Sequence, residues 1–301
     1  AVGADQPQRV EPLSSRPRLN IQKKSAHALE QDRPDAVSIC LPDNLHRDAA
    51  LAALRRGLAV LLEKPMATSV AEAREIAAAA QGGRLMVGHM LRFDPRYQRA
   101  RREFASGRIG ELVHLTTRRN SAVGATARYA ASTGLVWHVG IHDFDLVQWV
   151  TGRRIRQVTA LGAARRLASE GHYDTVLVLA RLDDGTPCAM EMCWVLPAHF
   201  GTGLDSALQV TGTRGRITVH GFDQGLEVVD EAVVQHPDTL RWAELDDGTA
   251  GGILAEEIRH FVRSTRERTP PAVEVADALS AVCVAAAVQR SLEEGGAVEV
   301  A

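Results

Sequence analysis

The chain has little net charge, few cysteines and no long apolar segment, and each of these absences excludes a class of protein. A formal charge of −2, with both signs interspersed, provides no basic surface for nucleic acid or for an anionic membrane. The longest apolar runs, such as 280–288, are too short to cross a bilayer. The four cysteines lack paired metal-ligand spacing, so we predict buried thiols, no metal site and a reducing, cytoplasmic location.

Lysine is also scarce, because all but three of the 35 basic residues are arginine. Lys23 and Lys24 lie in a polar stretch, whereas Lys64 follows an apolar run and precedes Pro65. Burial lowers the pKa of an ammonium group, so a lysine in an apolar setting can share or move a proton. Lys64 is therefore a candidate catalytic residue, although its position alone fits equally well a surface lysine whose charged end reaches solvent.

The first ninety residues predict a parallel sheet, because short apolar runs alternate with helical patterns. The predicted strands are 35–41, 58–62 and 85–88, and the predicted helices are 48–56 and 69–81. Ser69 and Glu72 have the spacing of a capping box at the start of the second helix. Strands and helices in this alternation, with short connections, are typical of right-handed βαβ units.

After residue 92 the pattern changes to helices and alternating strands joined by tight turns. The predicted helices are 97–106, 139–151, 253–268 and 275–294, and the predicted strands are 112–118, 155–162, 175–182, 187–194, 208–213 and 216–220. Turn signals such as Asp183-Asp184-Gly185 indicate hairpins, so most of this sheet should be antiparallel. We therefore expect an α/β protein: a Rossmann-like parallel-sheet domain over 1–91 and an α+β domain with a large open sheet over 92–301.

No glycine-rich dinucleotide-binding motif, G-x-G-x-x-G, occurs anywhere in the chain. Residues 1–5 have the pattern of a strand that ends in a carboxylate for the adenosine ribose, which makes Asp5 a candidate cofactor ligand. The alternative for Asp5 is the N-cap of the next segment. Because the first strand of such a fold is central, we expect about thirty further residues upstream. The other interpretation is a shortened domain that no longer binds a dinucleotide.

The densest set of reactive side chains lies at 137–145, where helical spacing would place His138, His142 and Asp145 on one face. Three interpretations stay open. These groups could cap and hydrogen-bond the start of a helix, as satisfied core residues. Two histidines at i and i+4 could bind zinc, although the H-E-x-x-H glutamate is absent. A histidine could also act as a general base, because its side chain titrates near neutrality.

Taken together, the order and spacing of these motifs resemble the Gfo/Idh/MocA oxidoreductase family over nearly the whole chain. The residues that carry the resemblance are Asp35-Ala36-Val37, Leu41-Pro42 with His46, Glu63-Lys64-Pro65, Val87-Gly88-His89, Arg92-Phe93 with Pro95, Gly107 with Ile109-Gly110, and His142-Asp143 with Asp145 and Trp149. The chain departs from the family at the glycine-rich loop and at His138, where many members carry aspartate. The resemblance implies a Rossmann domain, a C-terminal domain with a large open sheet, a nicotinamide cofactor and a polyol, sugar or sugar-nucleotide substrate.

The resemblance also implies roles for individual residues. Lys64 and His142 would be catalytic, and the substrate would contact Lys64, Arg92, His138 and His142. The cofactor would be NAD, with NADP possible, held by Asp5, Pro42, Asn44, His46, Glu63 and Lys64. Further possible walls of the substrate pocket, each of which could equally be a core or surface residue, are Tyr97, Asn120, Tyr129 and Trp194.

The expected reaction is hydride transfer between a secondary alcohol and nicotinamide. His142 would accept the hydroxyl proton and Lys64 would hold the oxygen, with the Lys64–Pro65 peptide in the cis form. The alternative is a non-catalytic regulatory protein of the same fold, against which the retention of both Lys64 and His142 argues. We also expect a homodimer or homotetramer formed through the open sheet, because an uncovered apolar face needs a partner.

Overall fold

The computed structural model describes residues 34–122, 133–168, 171–197, 200, 203–221, 224–229, 231, 234–243 and 245–301. The chain divides into two compact units, 1–35 and 36–301, and all elements described below belong to the second. That unit contains a three-stranded sheet and a seven-stranded sheet. The domain boundary near residue 92 stays a prediction.

The three-stranded sheet consists of β1 (Ala36–Ile39), β2 (Ala59–Leu62) and β3 (Leu85–Val87). Its strands are parallel and lie in the order β1-β2-β3, as predicted from the alternation of strands and helices. All residues of β2 and β3 are buried, because this sheet is covered on both faces.

Two helices connect these strands: α1 (His46–Arg55) follows β1, and α2 (Val70–Ala79) follows β2. The predicted cap of α2 is confirmed, since the Ser69 hydroxyl accepts a hydrogen bond from the backbone N–H of Glu72 at 3.3 Å. The loops that leave β1, β2 and β3 all start from the carboxyl edge of the sheet. In a parallel α/β sheet this edge is where ligands bind.

The second sheet is mixed and mostly antiparallel, as predicted. Its strands are β4 (Leu112–Ala122), β5 (Ile155–Ala163), β6 (Thr175–Leu182), β7 (Pro187–Leu196), β8 (Leu204–Gly212), β9 (Gly215–His220) and β12 (Ala297–Glu299). They lie in the order β12-β5-β6-β7-β4-β8-β9. Among the described strands of this sheet, only β4 and β7 pair in parallel. A separate two-stranded ribbon pairs β10 (Val228–Val229) with β11 (Val234–Gln235). Sequence patterning did not predict β12 or the ribbon, because both are very short.

Four helices accompany this sheet: α3 (Pro95–Ala105), α4 (Ile141–Thr151), α5 (Gly252–Glu267) and α6 (Val275–Glu294). Of the helices in the described ranges, only α6 is long and apolar enough to span a membrane. About half of its apolar stretch is buried inside the protein, where α6 packs on α4, α2 and β5. These contacts are those of a core helix.

The segment before α4 differs from the predicted single helix over 139–151. It begins with a π-helical turn at Val136–Gly140, which continues directly into α4. Gly140 allows the close packing at this junction, because a Cβ atom there would lie 2.8 Å from Phe144 Cζ and 2.9 Å from Met192 Sδ. π-Turns are wider than α-turns, so helical periodicity alone does not predict the directions of side chains in this segment.

Candidate active site

Lys64 lies in the loop that follows β2, at the carboxyl edge of the parallel sheet. The buried apolar strand carries this loop into the protein, and the Lys64–Pro65 peptide is cis, as predicted. The Nζ atom of Lys64 donates a hydrogen bond to the carbonyl oxygen of His138 at 2.9 Å. Lys64 therefore contacts the π-helical turn that leads to the second predicted catalytic residue, His142.

The pKa of Lys64 is lowered from 10.5 to about 8, chiefly by burial. The negative charges of Glu63 and Asp43 oppose this effect, and the positive charge of Arg119 adds to it. A lysine with this pKa exists in both protonation states near neutral pH, so it can donate a hydrogen bond as an ammonium ion or give up its proton. The setting of Lys64 favours the reactive interpretation over the surface one.

His142 is the second residue of α4. Its Nδ1 atom is buried and has no hydrogen-bond partner in the part of the chain that the structure describes. Burial lowers the pKa of His142 well below 6.5, and the positive charges of Lys64 and Arg119 lower it further. The ring is therefore a neutral imidazole at physiological pH, which is the form that can accept a proton.

An ion pair between Arg119 on β4 and Asp143 on α4 joins the large sheet to the helix that carries His142. The guanidinium donates two hydrogen bonds to the carboxylate, both 2.9 Å long, and both side chains are almost completely buried. Burial raises the pKa of Asp143 and the charge of Arg119 opposes that effect. This pair fixes α4 against the sheet, and sequence analysis assigned no role to Arg119.

His138 lies in the π-helical turn, and its ring packs against that of Trp194 with the centroids 5.9 Å apart. Trp194 is fully buried and its Nε1 atom has no acceptor within the described ranges. Tyr97 and Asn120 are buried too, and the Asn120 amide donates to Glu191 at 2.5 Å. Another suggested wall residue, Tyr129, lies outside the described residues. These wall positions stay predictions.

The ring of His46 contacts the protein backbone at the carboxyl edge of the sheet, and its predicted role as a cofactor ligand stays a prediction. It is fully buried, with Nδ1 2.8 Å from the carbonyl oxygen of Pro65 and Nε2 2.9 Å from that of Leu41. Each ring nitrogen lies within hydrogen-bond distance of a backbone carbonyl oxygen, one from the loop after β1 and one from the loop after β2. The arrangement favours a positioning role for His46, which holds the loop after β1 to the loop after β2.

The guanidinium of Arg92 is also hydrogen-bonded to other side chains of the protein. Arg92 is 3% exposed, and its guanidinium donates to Asp145 at 3.0 and 2.5 Å and to Asp277 at 2.9 Å. The same group lies 5.6 Å from the ring centroid of Trp149. All of these partners come from α4 and α6, so the geometry favours a structural cation that joins these helices to the turn at Met90–Phe93. The substrate-binding role implied by the resemblance stays a prediction that these contacts do not support.

The remaining predicted cofactor residues of the described chain do lie at the carboxyl edge. Pro42 and Asn44 are exposed on the loop that leaves β1, and Glu63 is partly buried at the end of β2. Burial raises the pKa of Glu63, while the charge of Lys64 lowers it. Asp5 lies outside the described residues.

Sequence analysis missed one carboxyl group near this edge. Glu257 on α5 is 1% exposed, and its Oε1 atom has no hydrogen-bond partner among the residues described. Burial raises the pKa of Glu257 to about 8, and the negative charge of Glu63 raises it as well. Nothing in the sequence connects these residues, because only the fold packs α5 on the turn at Met90–Phe93 and brings Glu257 within range of the Glu63 charge.

Several buried polar atoms of groups that interact electrostatically with Lys64 or Glu63 lack a hydrogen-bond partner. Within the described ranges, five of the unpartnered atoms belong to such groups: Asp43 Oδ2, both ring nitrogens of His89, His142 Nδ1 and Glu257 Oε1. Buried polar groups are normally paired, so such a cluster is suited to a polar ligand. In contrast, the described ranges contain no group of three or more histidine, cysteine or acidic side chains that could hold a metal ion, and the absence of a metal site stays a prediction.

The chain combines a parallel α/β sheet, a buried lysine at its carboxyl edge that contacts the turn before His142, and a large open sheet, which is the arrangement of a dinucleotide-dependent oxidoreductase. Two family models match the chain: the NAD-binding Rossmann fold of an oxidoreductase family over residues 1–89, and the GFO/IDH/MocA C-terminal domain over residues 97–218. The chain belongs to the Gfo/Idh/MocA family of oxidoreductases. The first model also confirms NAD as the expected cofactor.

Several characterised proteins are similar to this chain. Inositol 2-dehydrogenase 2 of Saccharopolyspora erythraea is 34% identical over 190 residues, which cover 62% of this chain and 54% of that protein. The match therefore spans about half the length of that relative. The myo-inositol 2-dehydrogenase of Thermotoga maritima is 24% identical over 92% of this chain and 84% of its own length.

Solved structures share the fold. The scyllo-inositol dehydrogenase of Lactobacillus casei, determined with bound NAD(H) and scyllo-inositol, superimposes with a TM-score of 0.77 at 23% identity, over 91% of this chain and 82% of that one. The structure of GenD2 from gentamicin A biosynthesis, in complex with NAD, superimposes with a TM-score of 0.80 at 24% identity. The match covers 92% of this chain and 81% of GenD2. The predicted fold class is confirmed.

Proposed function

We propose that this protein is an NAD-dependent dehydrogenase that oxidises a secondary hydroxyl group of a cyclic polyol of the inositol type. The observation that carries the proposal is the pairing of Lys64, whose pKa is about 8, with the turn that leads into His142. The names of the relatives, inositol 2-dehydrogenases, support the choice of substrate class. The family model supports NAD.

Each of the two residues has a separate task in this reaction. The neutral ring of His142 accepts the proton of the substrate hydroxyl group. The Lys64 ammonium donates a hydrogen bond to the same oxygen as it becomes a carbonyl oxygen, which stabilises the charge that develops there. NAD held at the carboxyl edge would supply the acceptor for the hydride of the substrate carbon.

Other residues near the carboxyl edge of the parallel sheet set the charge of Lys64 or hold Lys64 and His142 in position. Glu63 and Asp43 keep part of the Lys64 population protonated, since their negative charges raise its pKa. Pro42 and Asn44 lie where the cofactor would pass the loop after β1, and His46 ties that loop to Pro65. The ion pair of Arg119 with Asp143 holds α4, and with it His142, against the sheet.

We also propose that the protein forms a homodimer or a homotetramer through the open face of the large sheet. Leu161 on β5 pairs with Leu177 on β6, and these side chains and Leu179 are 74%, 51% and 66% exposed. Neighbouring exposed leucines on a sheet are typical of a face that a second copy covers. The reaction belongs in the cytoplasm, an assignment supported by the free thiols of all four cysteines. Three of these thiols are buried as predicted, whereas Cys40 is exposed.

The direct test is to incubate the full chain with NAD and myo-inositol or scyllo-inositol and to follow reduced nicotinamide by absorbance. We expect formation of reduced nicotinamide that depends on the polyol and is lost in His142→Gln. Titration with NADP in place of NAD separates the two cofactors. Saturable NAD binding without turnover of any polyol would contradict the proposal and support the regulatory alternative.

A further inference from the structure

Two buried ion pairs hold the first turns of α4, the helix that carries His142. Asp143, the next residue, pairs with Arg119 of the large sheet. Asp145, three residues after His142, pairs with Arg92. Each carboxylate accepts two hydrogen bonds from its guanidinium, and such paired hydrogen bonds fix the direction of a side chain as well as its distance. The helix is therefore anchored at two separate places in the fold.

The pair formed by Arg92 connects α4 to the loops of the parallel sheet. Arg92 lies in the short helical turn that follows β3. Four positions earlier, the backbone N–H of Gly88 donates to the carbonyl oxygen of Leu62, at the end of β2, at 2.7 Å. A Cβ atom on Gly88 would lie only 3.4 Å from Glu63 Oε2. The segment that leads to Arg92 therefore packs against the loop that carries Lys64.

A second carboxylate holds Arg92 from the side of α6. Asp277 lies in the first turn of this helix and accepts a hydrogen bond from Arg92 Nη1 at 2.9 Å and another from Arg154 Nη2 at 2.7 Å. The helix itself packs on α4 and β5 in the core. All three nitrogens of the Arg92 guanidinium thus donate to aspartates of the protein, which leaves this side chain little freedom to turn.

Lys64 itself is a poor structural link between the parallel sheet and α4. Its ammonium group donates to the carbonyl oxygen of His138, but with a pKa of about 8 it loses a proton near the working pH. The guanidinium of Arg92 keeps its charge throughout this range, and Asp145 raises its pKa further. The ion pair can therefore hold α4 in place while Lys64 changes its protonation state.

We propose that Arg92 is a positioning residue that sets the spacing between Lys64 and His142. It acts through its two hydrogen bonds to Asp145, and Asp277 holds it in place. This inference rests on the proposed dehydrogenase function, because one substrate hydroxyl group must meet both the base on α4 and the hydrogen-bond donor after β2. Displacements of about 1 Å in such an arrangement cost large factors in rate.

The first experiment needs no turnover and uses the scarcity of lysine. The chain contains only Lys23, Lys24 and Lys64, so NMR of lysine-labelled protein gives few signals, and Lys64→Met identifies the one that reports Lys64. In Asp277→Asn we expect the pKa of Lys64 to rise from about 8 towards 10.5, because a looser fit of α4 lets water reach the ammonium group. In Asp277→Glu, which keeps the anchoring charge, the pKa should stay at about 8.

The direction of this change separates positioning from a direct effect of charge. The charges that shift the pKa of Lys64 belong to Glu63, Asp43 and Arg119. Loss of the negative charge of Asp277 could by itself only lower the pKa of a lysine. A Lys64 pKa that stays at about 8 or falls in Asp277→Asn would therefore overturn the proposal, whether or not the protein proves to be a dehydrogenase.

The second experiment measures kcat and KM for polyol oxidation in Asp277→Asn, with Asp238→Asn as a matched control. Both aspartate side chains are 20% exposed and paired with arginine, but the partner of Asp238 is Arg241, three positions along the chain. We expect kcat to fall roughly 10-fold in Asp277→Asn with KM little changed, whereas the control should match the wild type. Wild-type kinetics in Asp277→Asn, or an equal loss in both variants, would overturn the proposal.

Discussion

The Nζ atom of Lys64 lies 2.9 Å from the carbonyl oxygen of His138, and this hydrogen bond joins the loop after β2 to the π-helical turn before α4. The two residues are separated by 74 positions in the sequence. A buried ammonium that is held by a backbone oxygen, rather than by a carboxylate, keeps a lowered pKa. The proposed role of Lys64 as a hydrogen-bond donor and the free-energy cost of burying its charge both follow from this hydrogen bond.

Replacing Lys64 with methionine should abolish turnover and raise stability. We expect kcat to fall by roughly 100-fold or more, because the hydrogen-bond donor to the developing oxygen charge is lost. Since the pKa of Lys64 is about 8 in the folded protein and 10.5 as its ordinary value, burying the charge costs at most about 3 kcal/mol below pH 8. That cost disappears in Lys64→Met, so the urea midpoint should rise at neutral pH.

The same pKa difference predicts how the stability of the wild type depends on pH. Between about pH 8 and pH 10.5 the unfolded lysine binds more protons than the folded one, so the contribution of Lys64 to stability rises with pH in this window. Lys64→Met should lack that rise. Lys64→Arg keeps the charge but cannot release a proton, so it should be inactive and no more stable than the wild type. A Lys64→Met protein with normal turnover would contradict the assignment.

Turnover should fall as the pH rises through about 8, because Lys64 then loses the ammonium proton that stabilises the substrate oxygen. Asp43→Asn removes a negative charge that raises the pKa of Lys64, so it should move this limb of the pH profile to lower pH. Asp48→Asn is the matched control, since Asp48 pairs with Arg47 on the exposed side of α1. An unchanged limb in Asp43→Asn would contradict the assignment of that limb to Lys64.

Breaking the ion pair of Arg119 with Asp143 should destabilise the fold strongly. Arg119→Met leaves the carboxylate of Asp143 buried without its partner, at a cost of about 3–5 kcal/mol in the free energy of unfolding. Asp143→Leu in addition removes that charge, so the double variant should recover most of the loss. Urea unfolding of the two single variants and the double variant measures the coupling, and additive losses would show that the pair contributes little.

A charge on the open sheet face should dissociate the proposed assembly. Leu177→Lys places an ammonium group among Leu161 and Leu179, which we expect a second copy to cover, so the variant should sediment as a monomer. Val262→Lys is the control, because Val262 is 47% exposed on α5, away from this sheet. The same mass for the wild type and Leu177→Lys would place the interface elsewhere, or show that the wild type is already a monomer.

Local patterns predicted most secondary structure well, because they depend on short-range physics. The buried runs that became β1 to β3 were continuous and apolar, and the cap at Ser69 needs only a residue three positions away. The tight turns of the second sheet likewise predicted its hairpins. The π-turn at Val136–Gly140 was missed, since no residue type distinguishes it from an α-helical turn.

For the candidate site, sequence and structure contributed different parts. The rarity of lysine, the Glu63-Lys64-Pro65 sequence and the spacing of His142 selected two reactive residues and the family without any coordinates. The tertiary structure decided how the other polar residues are used. The ring of His46 lies between two backbone carbonyl oxygens, and the guanidinium of Arg92 donates hydrogen bonds to Asp145 and Asp277. The negative charge of Glu63 raises the pKa of Glu257, which lies on a helix far away in the sequence.

The sequence by itself determined the elements, the family and the candidate reactive pair, since each depends on residue types at fixed spacing. Only the tertiary structure decided which polar side chains are already satisfied and which are buried without a partner. The physical reason is that a hydrogen bond, an ion pair or a shifted pKa depends on distance and on loss of water. Both are set by contacts between segments that lie far apart along the chain.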